Sequence, residues 1–286
     1  MANDRWRNSS QKTLTLRAFS ECSEVIVFDT ETTGFNAKDD RIIELGAIKF
    51  SIPDLKEIDR LHLYIRPRFE ISEKITELTG ITNEFLKDKP YEEEVFDTIM
   101  SFFTNKPKVV TAHNSGFDMR FLTALAERNG GSTIEPYYVL DTLEMARDIV
   151  DSDTTANYKL GTLASLYGLD EGIAFHSALD DAYVTSLLLR IFSKEYEEWI
   201  PKSGKIKPFI SSVNFWEGYK GFSRIYVQTD YGSIYYDIRR KFWASKDEKT
   251  ICILDMDYVE QRCFELTGKK DINEFAKYNG QIKVAY

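Results

Sequence analysis

The pattern of hydrophobic and polar positions predicts strands in the first part of the chain and an alternation of strands and helices after it. Residues 24–28 form a short apolar run typical of a buried central strand, and residues 41–50 and 60–66 alternate as antiparallel neighbours do. This order predicts an α/β domain with a mixed five-stranded sheet flanked by helices. The remaining predicted elements are strands at 109–112 and 137–140 and helices at 72–78, 91–103, from about 116, 141–149, 160–167 and 177–192.

A second, smaller unit is predicted after residue 200. Pro and Gly residues interrupt the helical pattern at 201–205, and the charge balance changes sign there. Residues 1–200 contain 22 Lys and Arg against 35 Asp and Glu, whereas residues 201–286 contain 15 against 11. The second unit is predicted to hold a hairpin, with strands at 222–228 and 233–238, and a helix at 257–266. The predicted organisation is an N-terminal extension at 1–22, a main domain at 23–198 and a small α+β appendage of unknown role at 199–286.

The composition is that of an ordinary globular protein. Hydrophobic residues make up 43% of the 286 positions and charged residues 29%, which excludes disordered, collagen-like and coiled-coil classes. No stretch approaches the roughly 18 consecutive apolar residues of a membrane span, and the first residues contain no apolar signal core. The cysteines Cys22, Cys252 and Cys263 are too scattered for a disulfide framework or a zinc site. We therefore expect a cytoplasmic protein with no membrane contact.

The first candidate chemistry lies at the end of the first predicted strand, in the sequence FDTETTG at 28–34. Asp29 and Glu31 are two residues apart, so in an extended strand their side chains point to the same face. Two carboxylates aimed at one point repel each other unless a proton or a cation lies between them, which favours a hard cation such as Mg²⁺ or Mn²⁺. A solvated strand end explains an isolated pair equally well.

Two further sequences place acids in the first turns of helices. In TAHNSGFDMRFL at 111–122, Asp118 follows a short strand and a turn, where an acid also simply complements the helix dipole. In HSALDDA at 176–182, His176 precedes a helix whose first turn carries Asp180 and Asp181. A histidine can accept a proton near neutral pH, although a single histidine is more often a bystander. Helix geometry does not distinguish Asp180 from Asp181, because each shares a face with apolar residues.

Taken together, FDTETTG, HNSGFD and HSALDD resemble, in order and separation, the three sequence blocks of the DEDDh 3'-to-5' exonucleases. That group includes proofreading exonuclease domains and subunits of bacterial DNA polymerases. The resemblance covers about residues 24–195, and the segments 75–82 and 140–143 also resemble family segments. It implies a ribonuclease H-like fold and metal-dependent hydrolysis of phosphodiester bonds at the 3' end of a nucleic acid, with release of nucleoside 5'-monophosphates.

The resemblance also assigns roles to individual residues. It implies that Asp29, Glu31, Asp118 and Asp181 bind two divalent ions, Mg²⁺ or Mn²⁺, because these positions match the four acids of the family. Asp181 is chosen over Asp180 only by its spacing of five positions from the histidine.

The same match implies that His176 takes the proton from the attacking water. Thr32 and Asn114 resemble positions that contact substrate.

The expected substrate is a single-stranded or frayed 3' end of DNA, and RNA stays open because no motif here reads a 2'-hydroxyl. Residues 219–243 interleave aromatic rings with cations, which is typical of a single-strand stacking platform and also of the core of a small domain. A third option is that residues 201–286 dock onto a DNA polymerase or another protein. A non-catalytic binding module of the same fold is disfavoured, because all five motif residues are present.

Overall fold

The computed structural model describes residues 11–103, 108–173, 175–198, 205–218, 222–238, 242–245, 249–270, 274 and 281–282. Two compact units divide the chain, with boundaries after Leu16 and after Lys194. One unit is Arg17–Lys194, and the other contains the described residues on either side of it. The domain limits that we predicted at 22/23 and 198/199 stay predictions.

A mixed sheet forms the centre of the unit Arg17–Lys194, as the sequence predicts. Its five strands lie in the order β3-β2-β1-β4-β5. β1 pairs with β2 and β2 with β3 in antiparallel fashion, whereas β4 pairs in parallel with β1 and with β5. The strands are β1 (Glu24–Thr32), β2 (Ile42–Ser51), β3 (Glu57–Tyr64), β4 (Val109–Ala112) and β5 (Tyr138–Asp141).

Helices flank this sheet where the 3.6-residue periodicity predicts them, with two additions. α1 and α3 were not predicted, and α3 has only four residues, too few for a periodic pattern to appear. The helices are α1 (Gln11–Glu21), α2 (Glu73–Thr79), α3 (Asn83–Leu86), α4 (Glu92–Phe103), α5 (Ser115–Arg128), α6 (Thr142–Ile149), α7 (Leu160–Leu166) and α8 (Ala178–Glu197).

The parallel strands bring three connections to one edge of the sheet. In parallel strands the carboxyl ends meet at the same edge, and the chain leaves β1, β4 and β5 there. β1 runs four residues beyond its predicted end, so Asp29 and Glu31 lie within the sheet rather than after it. α5 follows β4 and α6 follows β5, so the first turns of both helices begin at this edge.

The other unit contains a second sheet, which confirms the predicted small α+β appendage. Its strands are antiparallel and lie in the order β10-β6-β7-β8-β9, and apolar residues such as Val213, Val227 and Val259 form its core. The predicted hairpin is β7 and β8, and the predicted helix is α10. The elements are β6 (Ile210–Gly218), β7 (Phe222–Thr229), β8 (Gly232–Asp237), β9 (Phe242–Ser245), α9 (Lys249–Ile253), α10 (Met256–Thr267) and β10 (Gln281–Ile282).

The aromatic residues of this appendage divide between its core and the opposite face of the β7–β8 hairpin. Tyr236 and Trp243 are buried in the core. Tyr226 and Tyr235 pair across β7 and β8 on the opposite face, with ring centroids 5.7 Å apart, and the Arg224 guanidinium lies 4.6 Å from the Tyr235 ring. Of the other aromatic residues in 219–243, Phe242 is buried and Tyr231 is exposed. Residues 219–221 and 239–241 lie outside the described residues.

Two further properties of the described residues are the length of their helices and the state of their cysteines. None of the helices in the described ranges combines the length and the apolar character that a bilayer crossing requires. Cys22 and Cys263 are free thiols, and Cys263 is buried.

One glycine allows α8 to approach the sheet closely. Gly46 in β2 pairs with Asp29 of β1. A Cβ atom placed on Gly46 would lie 2.3 Å from both the carbonyl carbon of Ala178 and the amide nitrogen of Leu179. The first turn of α8 therefore packs directly on the backbone of β2, beside Asp29, and only glycine leaves room for it.

We expect Gly46→Ala to destabilise the protein by about 1–3 kcal/mol, because the new methyl group meets backbone atoms that cannot rotate away. Thermal unfolding would measure this as a lower Tm. Gly116→Ala is the matched control: nothing lies within 4 Å of a Cβ at Gly116, and the residue is helical. That variant should keep or raise the Tm, and an equal fall in both variants would contradict the close-packing explanation.

Candidate active site

Asp29 and Glu31 project from the same face of β1 at the carboxyl end of the strand. Glu31 is 9% exposed, and burial raises its pKa to about 8, with further contributions from Asp181, Glu44 and Asp118. Burial likewise raises the pKa of Asp29 well above its ordinary value, and the charge of Asp118 adds to this. Both carboxyls thus lie where a negative charge is unfavourable without a compensating cation.

Asp118, in the first turn of α5, is fastened to β1 by hydrogen bonds. The backbone N–H and the hydroxyl of Thr30 both donate to Oδ1 of Asp118, at 3.1 and 2.7 Å. The side chain is only 2% exposed. Burial raises the pKa of Asp118 to about 7, although the bonds from Thr30 favour the charged form. These bonds bring Asp118 against the residue of β1 that lies between Asp29 and Glu31.

Asp181 reaches the same region from the first turn of α8. Its Oδ2 accepts a hydrogen bond from the backbone N–H of His176 at 3.2 Å, and its buried Oδ1 has no hydrogen-bond partner among the described residues. Burial raises the pKa of Asp181 to about 7, and the neighbouring charges of Asp180 and Glu44 also raise this pKa. A buried carboxylate oxygen without a partner is costly, and a bound cation would satisfy it.

His176 completes a compact group with two of these acids. Ligand atoms of Glu31, His176 and Asp181 all lie within 4.8 Å of one another. His176 is exposed and adopts a left-handed backbone conformation with φ of 70°. This conformation is uncommon outside glycine, and here the residue's backbone N–H also binds Asp181. The group can hold a cation or exchange a proton.

Asp180 lies apart from this group, although the sequence pattern does not distinguish it from Asp181. Asp180 is half-buried and contributes no atom to the set formed by Glu31, His176 and Asp181. Asp181, in contrast, is 8% exposed and contributes a ligand atom to the set. The three-dimensional packing of α8 makes this distinction, since both residues lie in the same helical turn.

The two candidate substrate contacts, Thr32 and Asn114, differ in their burial and in the local hydrogen bonds of their side chains. The Thr32 hydroxyl is buried and donates to the carbonyl oxygen of Gly34 at 2.6 Å. Asn114 is exposed, its backbone is left-handed with φ of 73°, and its side chain makes no capping hydrogen bond to α5. The side-chain amide of Asn114 is therefore not used to cap the helix, whereas Thr32 shapes the turn after β1.

Asp141 is a structural residue of the site whose function the sequence did not reveal. Its Oδ1 accepts from the N–H groups of Asn114 and Leu143, both at 3.0 Å, and its Oδ2 accepts from the N–H and hydroxyl of Ser115 at 2.9 and 3.0 Å. One carboxylate thus holds the starts of both α5 and α6. Its position as an Asp directly before a helix is a recognisable N-cap signal.

Glu44 is a fifth acid at this edge, also missed from the sequence. It lies opposite Glu31 in the β1–β2 pair and is 1% exposed. The Glu44 carboxylate bonds Nε2 of His62 at 2.7 Å and accepts from the Tyr64 hydroxyl. An acid at an inward position of an otherwise apolar strand was the available signal, because such residues are rarely buried without partners.

An exposed aromatic ring lies beside the site. Phe35, which follows the turn after β1, is 82% exposed, and its ring centroid lies 6.3 Å from that of Phe117, the residue before Asp118. The guanidinium of Arg120 lies 5.9 Å from the Phe117 ring. Sequence reasoning did not single out these residues, because exposure of a large apolar side chain cannot be read from a local pattern.

Comparison with known proteins identifies relatives for this arrangement. A model of the RNase_T family, described as exonuclease, matches residues 26–189. The DNA polymerase III PolC-type of Caldanaerobacter subterraneus subsp. tengcongensis is 39% identical over 175 residues, and that of Thermotoga petrophila is 35% identical over 196 residues. These matches cover 61% and 68% of this chain, whereas the chain spans only 12% and 14% of the length of those relatives.

Solved structures share the fold. E. coli exonuclease I in complex with a dT13 oligonucleotide aligns with a TM-score of 0.53 and 16% identity, over 91% of this chain and 62% of that one. The nuclease domain of 3'hExo, a DEDDh family member bound to rAMP, aligns with a TM-score of 0.51 and 18% identity, over 62% and 96%. The predicted ribonuclease H-like fold and the predicted family resemblance are confirmed.

The raised pKa values predict how the stability of the metal-free protein depends on pH. Because folding raises the pKa of Glu31 to about 8 and those of Asp118 and Asp181 to about 7, the folded state binds more protons than the unfolded chain above the ordinary carboxyl range. The free energy of unfolding in EDTA should therefore fall as the pH rises from about 5 to about 8. Denaturant titrations at several pH values would measure this dependence.

The variant Glu31→Gln should flatten this pH dependence, because it removes the carboxyl whose pKa is about 8. Glu77→Gln, at an exposed position of α2, serves as the control and should leave the slope unchanged. A slope that is identical in the wild type and in Glu31→Gln would show that this carboxyl is not a source of the pH dependence.

We expect Asp141→Asn to lower both the Tm and the rate of any reaction at the site. The amide nitrogen cannot accept hydrogen bonds, so buried donors of Ser115 or Asn114 and Leu143 lose their partner, at about 1–3 kcal/mol for each unsatisfied group. Asp153→Asn, at an exposed position of the same unit, is the control. Thermal unfolding of the two variants would give the difference, and equal Tm values would contradict this function of Asp141.

Proposed function

The chain belongs to the RNase_T family of exonucleases, and from this membership we propose that it removes nucleotides from the 3' end of DNA, releasing nucleoside 5'-monophosphates. The observation that carries the proposal is the convergence of four carboxylates from three separate segments on one buried edge. Three of the four are at most 9% exposed. No packing function requires so many acids in one place, whereas phosphodiester hydrolysis uses such a cluster to hold cations.

The four carboxylates would hold two divalent cations, Mg²⁺ or Mn²⁺. The donor set fits these ions, since it consists of hard oxygen ligands and includes the partnerless Oδ1 of Asp181. The raised pKa values of Glu31, Asp118 and Asp181 also fit these ions, because burial without a compensating charge raises them and a bound cation would supply that charge. When bound, the cations supply positive charge that stabilises the developing charge on the scissile phosphate and its leaving oxygen.

His176 is the proposed general base. Its imidazole is exposed and reaches the edge of the cluster, close to the carboxylates of Glu31 and Asp181. From this position an imidazole nitrogen can take the proton from the water that attacks phosphorus. The backbone bond from His176 to Asp181 fixes the residue beside the acids.

The proposed substrate is a single strand or a frayed duplex end. The carboxylates are buried at the edge of the sheet, so the terminal base must leave a duplex before its phosphate can approach them. The exposed ring of Phe35 lies near Phe117, one residue before Asp118, and the exposed side chain of Asn114 makes no capping bond to α5, so both suit contact with a base and a sugar. Thr32 supports this contact by shaping the turn before Phe35.

DNA is favoured over RNA because the relatives of highest identity described above are DNA polymerases. The same matches support association with a DNA polymerase, with residues 201–286 as the proposed contact. Because this chain spans 12% of the first relative, the polymerase activity itself is not part of the proposal.

The test is release of nucleotides from a 5'-labelled single-stranded DNA and a matched RNA, with Mg²⁺ and with EDTA. We expect DNA to shorten from the 3' end in Mg²⁺ only. His176→Ala should reduce kcat at least about a hundredfold and keep the affinity for Mn²⁺ measured by calorimetry. Asp29→Ala should lose both the cleavage activity and the affinity for Mn²⁺.

Asp181→Asn and Asp180→Asn form a matched pair, since they change adjacent acids of one helical turn. The first should abolish cleavage and the second should preserve most of it. Cleavage that survives EDTA would refute the metal-dependent reaction. Preferential cleavage of RNA would replace the substrate with RNA, and binding without cleavage of either strand would indicate a non-catalytic module.

A further inference from the structure

A cavity of about 360 Å³ lies at the end of β3, outside the carboxylate cluster. Three cationic side chains, Arg66, Arg68 and Lys87, line it together with the aromatic rings of Phe69 and Tyr91. Its volume lies within the range of pockets that bind small ligands or parts of larger ones. We refer to it as the β3 cavity.

The β3 cavity opens at the same edge of the sheet as the active site. β1 and β3 run in the same direction, because each is antiparallel to β2. Glu31 pairs with Glu44, and Glu44 pairs with Tyr64, so Tyr64 lies two strand spacings, about 10 Å, from the catalytic strand. Arg66 follows two residues later. The cavity therefore lies beside the cluster along the edge, not behind the sheet.

The walls of the β3 cavity are held by hydrogen bonds. Arg66 donates from its backbone N–H to the carbonyl of Pro90 at 2.8 Å and from Nη1 to the carbonyl of Lys87 at 2.6 Å. The side chain of Asn83 bonds both the N–H and the carbonyl of Ile71, at 2.8 and 3.0 Å. These bonds fix the segment after β3 against α3, so the cavity is preformed.

Two cations of the β3 cavity are available to an anion. The side chains of Arg68 and Lys87 are 68% and 62% exposed, and their partners Glu93 and Glu84 are also on the surface. Exposed ion pairs contribute little to the stability of a protein, so a phosphate can replace the carboxylates of Glu93 and Glu84 as the partner of these cations. The Arg68 guanidinium lies 4.5 Å from the centroid of the Tyr91 ring, a cation–π contact that helps to hold it at the cavity.

The cavity also offers a surface for a base. Phe69 is 45% exposed although it is a large apolar residue. Sequence-independent binding of single strands combines such rings with cations that follow the backbone. Cations are needed locally, because residues 1–200 carry 35 Asp and Glu against 22 Lys and Arg, and this body repels a polyanion elsewhere.

We propose that the β3 cavity binds the substrate strand upstream of its 3' end, with phosphates on Arg68 and Lys87 and a base against Phe69. The proposal rests on the proposed function, since it extends the path of that same strand. A stacked strand rises about 3.4 Å per nucleotide, so the two strand spacings of about 10 Å between β1 and Tyr64 already span about three nucleotides. The terminal nucleotide lies at the carboxylates, and the cavity holds nucleotides on its 5' side.

The experiment compares two substrates on the full chain. The p-nitrophenyl ester of thymidine 5'-monophosphate reports the carboxylate cluster alone, whereas a long single-stranded oligonucleotide also reaches the β3 cavity. The double variant Arg68→Ala and Lys87→Ala should raise KM for the oligonucleotide about tenfold, with kcat for the ester unchanged. The slope of log affinity against log salt should become shallower by about 0.7 for each lost phosphate contact.

Lys56→Ala is the matched control, because Lys56 is an exposed cation at the opposite end of the β2–β3 hairpin. The Lys56→Ala variant should change neither the KM for the oligonucleotide nor the kcat for the ester. An unchanged KM for the oligonucleotide in the double variant would overturn the proposal. So would an equal loss on both substrates, which indicates a structural effect, or a loss seen only with a duplex, which places the complementary strand in the cavity.

Failure of the proposed function gives a different result. In that case the wild type cleaves neither the ester nor the oligonucleotide. The affinity of a fluorescein-labelled oligonucleotide for the wild type and the double variant then tests the cavity directly. Weaker binding by the double variant supports the β3 cavity as a nucleic-acid contact, and equal binding overturns it.

Discussion

Repulsion among the acids at one edge of the sheet is the constraint on which the rest of the catalytic unit depends. Asp29, Glu31, Asp118 and Asp181 come from β1, α5 and α8, and burial raises the pKa of each. Such a cluster disfavours the folded state, so the surrounding structure has to hold it together. A site that binds cations tightly has to accept this cost when it is empty.

Asp118 and Asp181 are held by hydrogen bonds from neighbouring segments rather than by a basic side chain. Thr30 fixes Asp118, and the N–H of His176 fixes Asp181. The glycine in β2 lets α8 approach until its first turn lies on the sheet. Neutral donors position the carboxylates without neutralising them, and so leave their charge for cations. An Arg or Lys in these places would compete with the metal for the same oxygens.

Local patterns predicted the main sheet and most of its helices because these elements have strong periodicity. β4 was predicted with the bounds that the structure shows, and β7, β8 and α10 were found within one or two residues. β6, β9, β10 and α9 were missed, because the sequence after residue 200 has many aromatic residues and no regular alternation of polar and apolar positions. The burial of Tyr236 in the core and the half-buried position of Tyr226 on the opposite face follow from the register of β7 and β8, which cannot be read from composition.

The candidate site was predictable where residues lie in one motif and not where packing joins distant segments. Asp29 and Glu31 follow from strand geometry alone. The distinction between Asp180 and Asp181 needed the family spacing, and in the structure only Asp181 of the two contributes a ligand atom to the group with Glu31 and His176. Glu44 joins the site through a cross-strand pair with Glu31, and Asp141 through bonds that span 26 and 27 residues.

The left-handed backbone of Asn114 separates two properties that are usually linked, exposure and tolerance to mutation. Exposed positions generally accept many residue types, but φ of 73° with ψ of 49° admits few side chains besides Gly, Asn and Asp. β-Branched residues would be excluded there by their own backbone clashes. A restricted choice of residues at Asn114 among relatives would therefore reflect local sterics as much as recognition of a ligand, and the two causes can be separated by comparing Gly with Asn at this position.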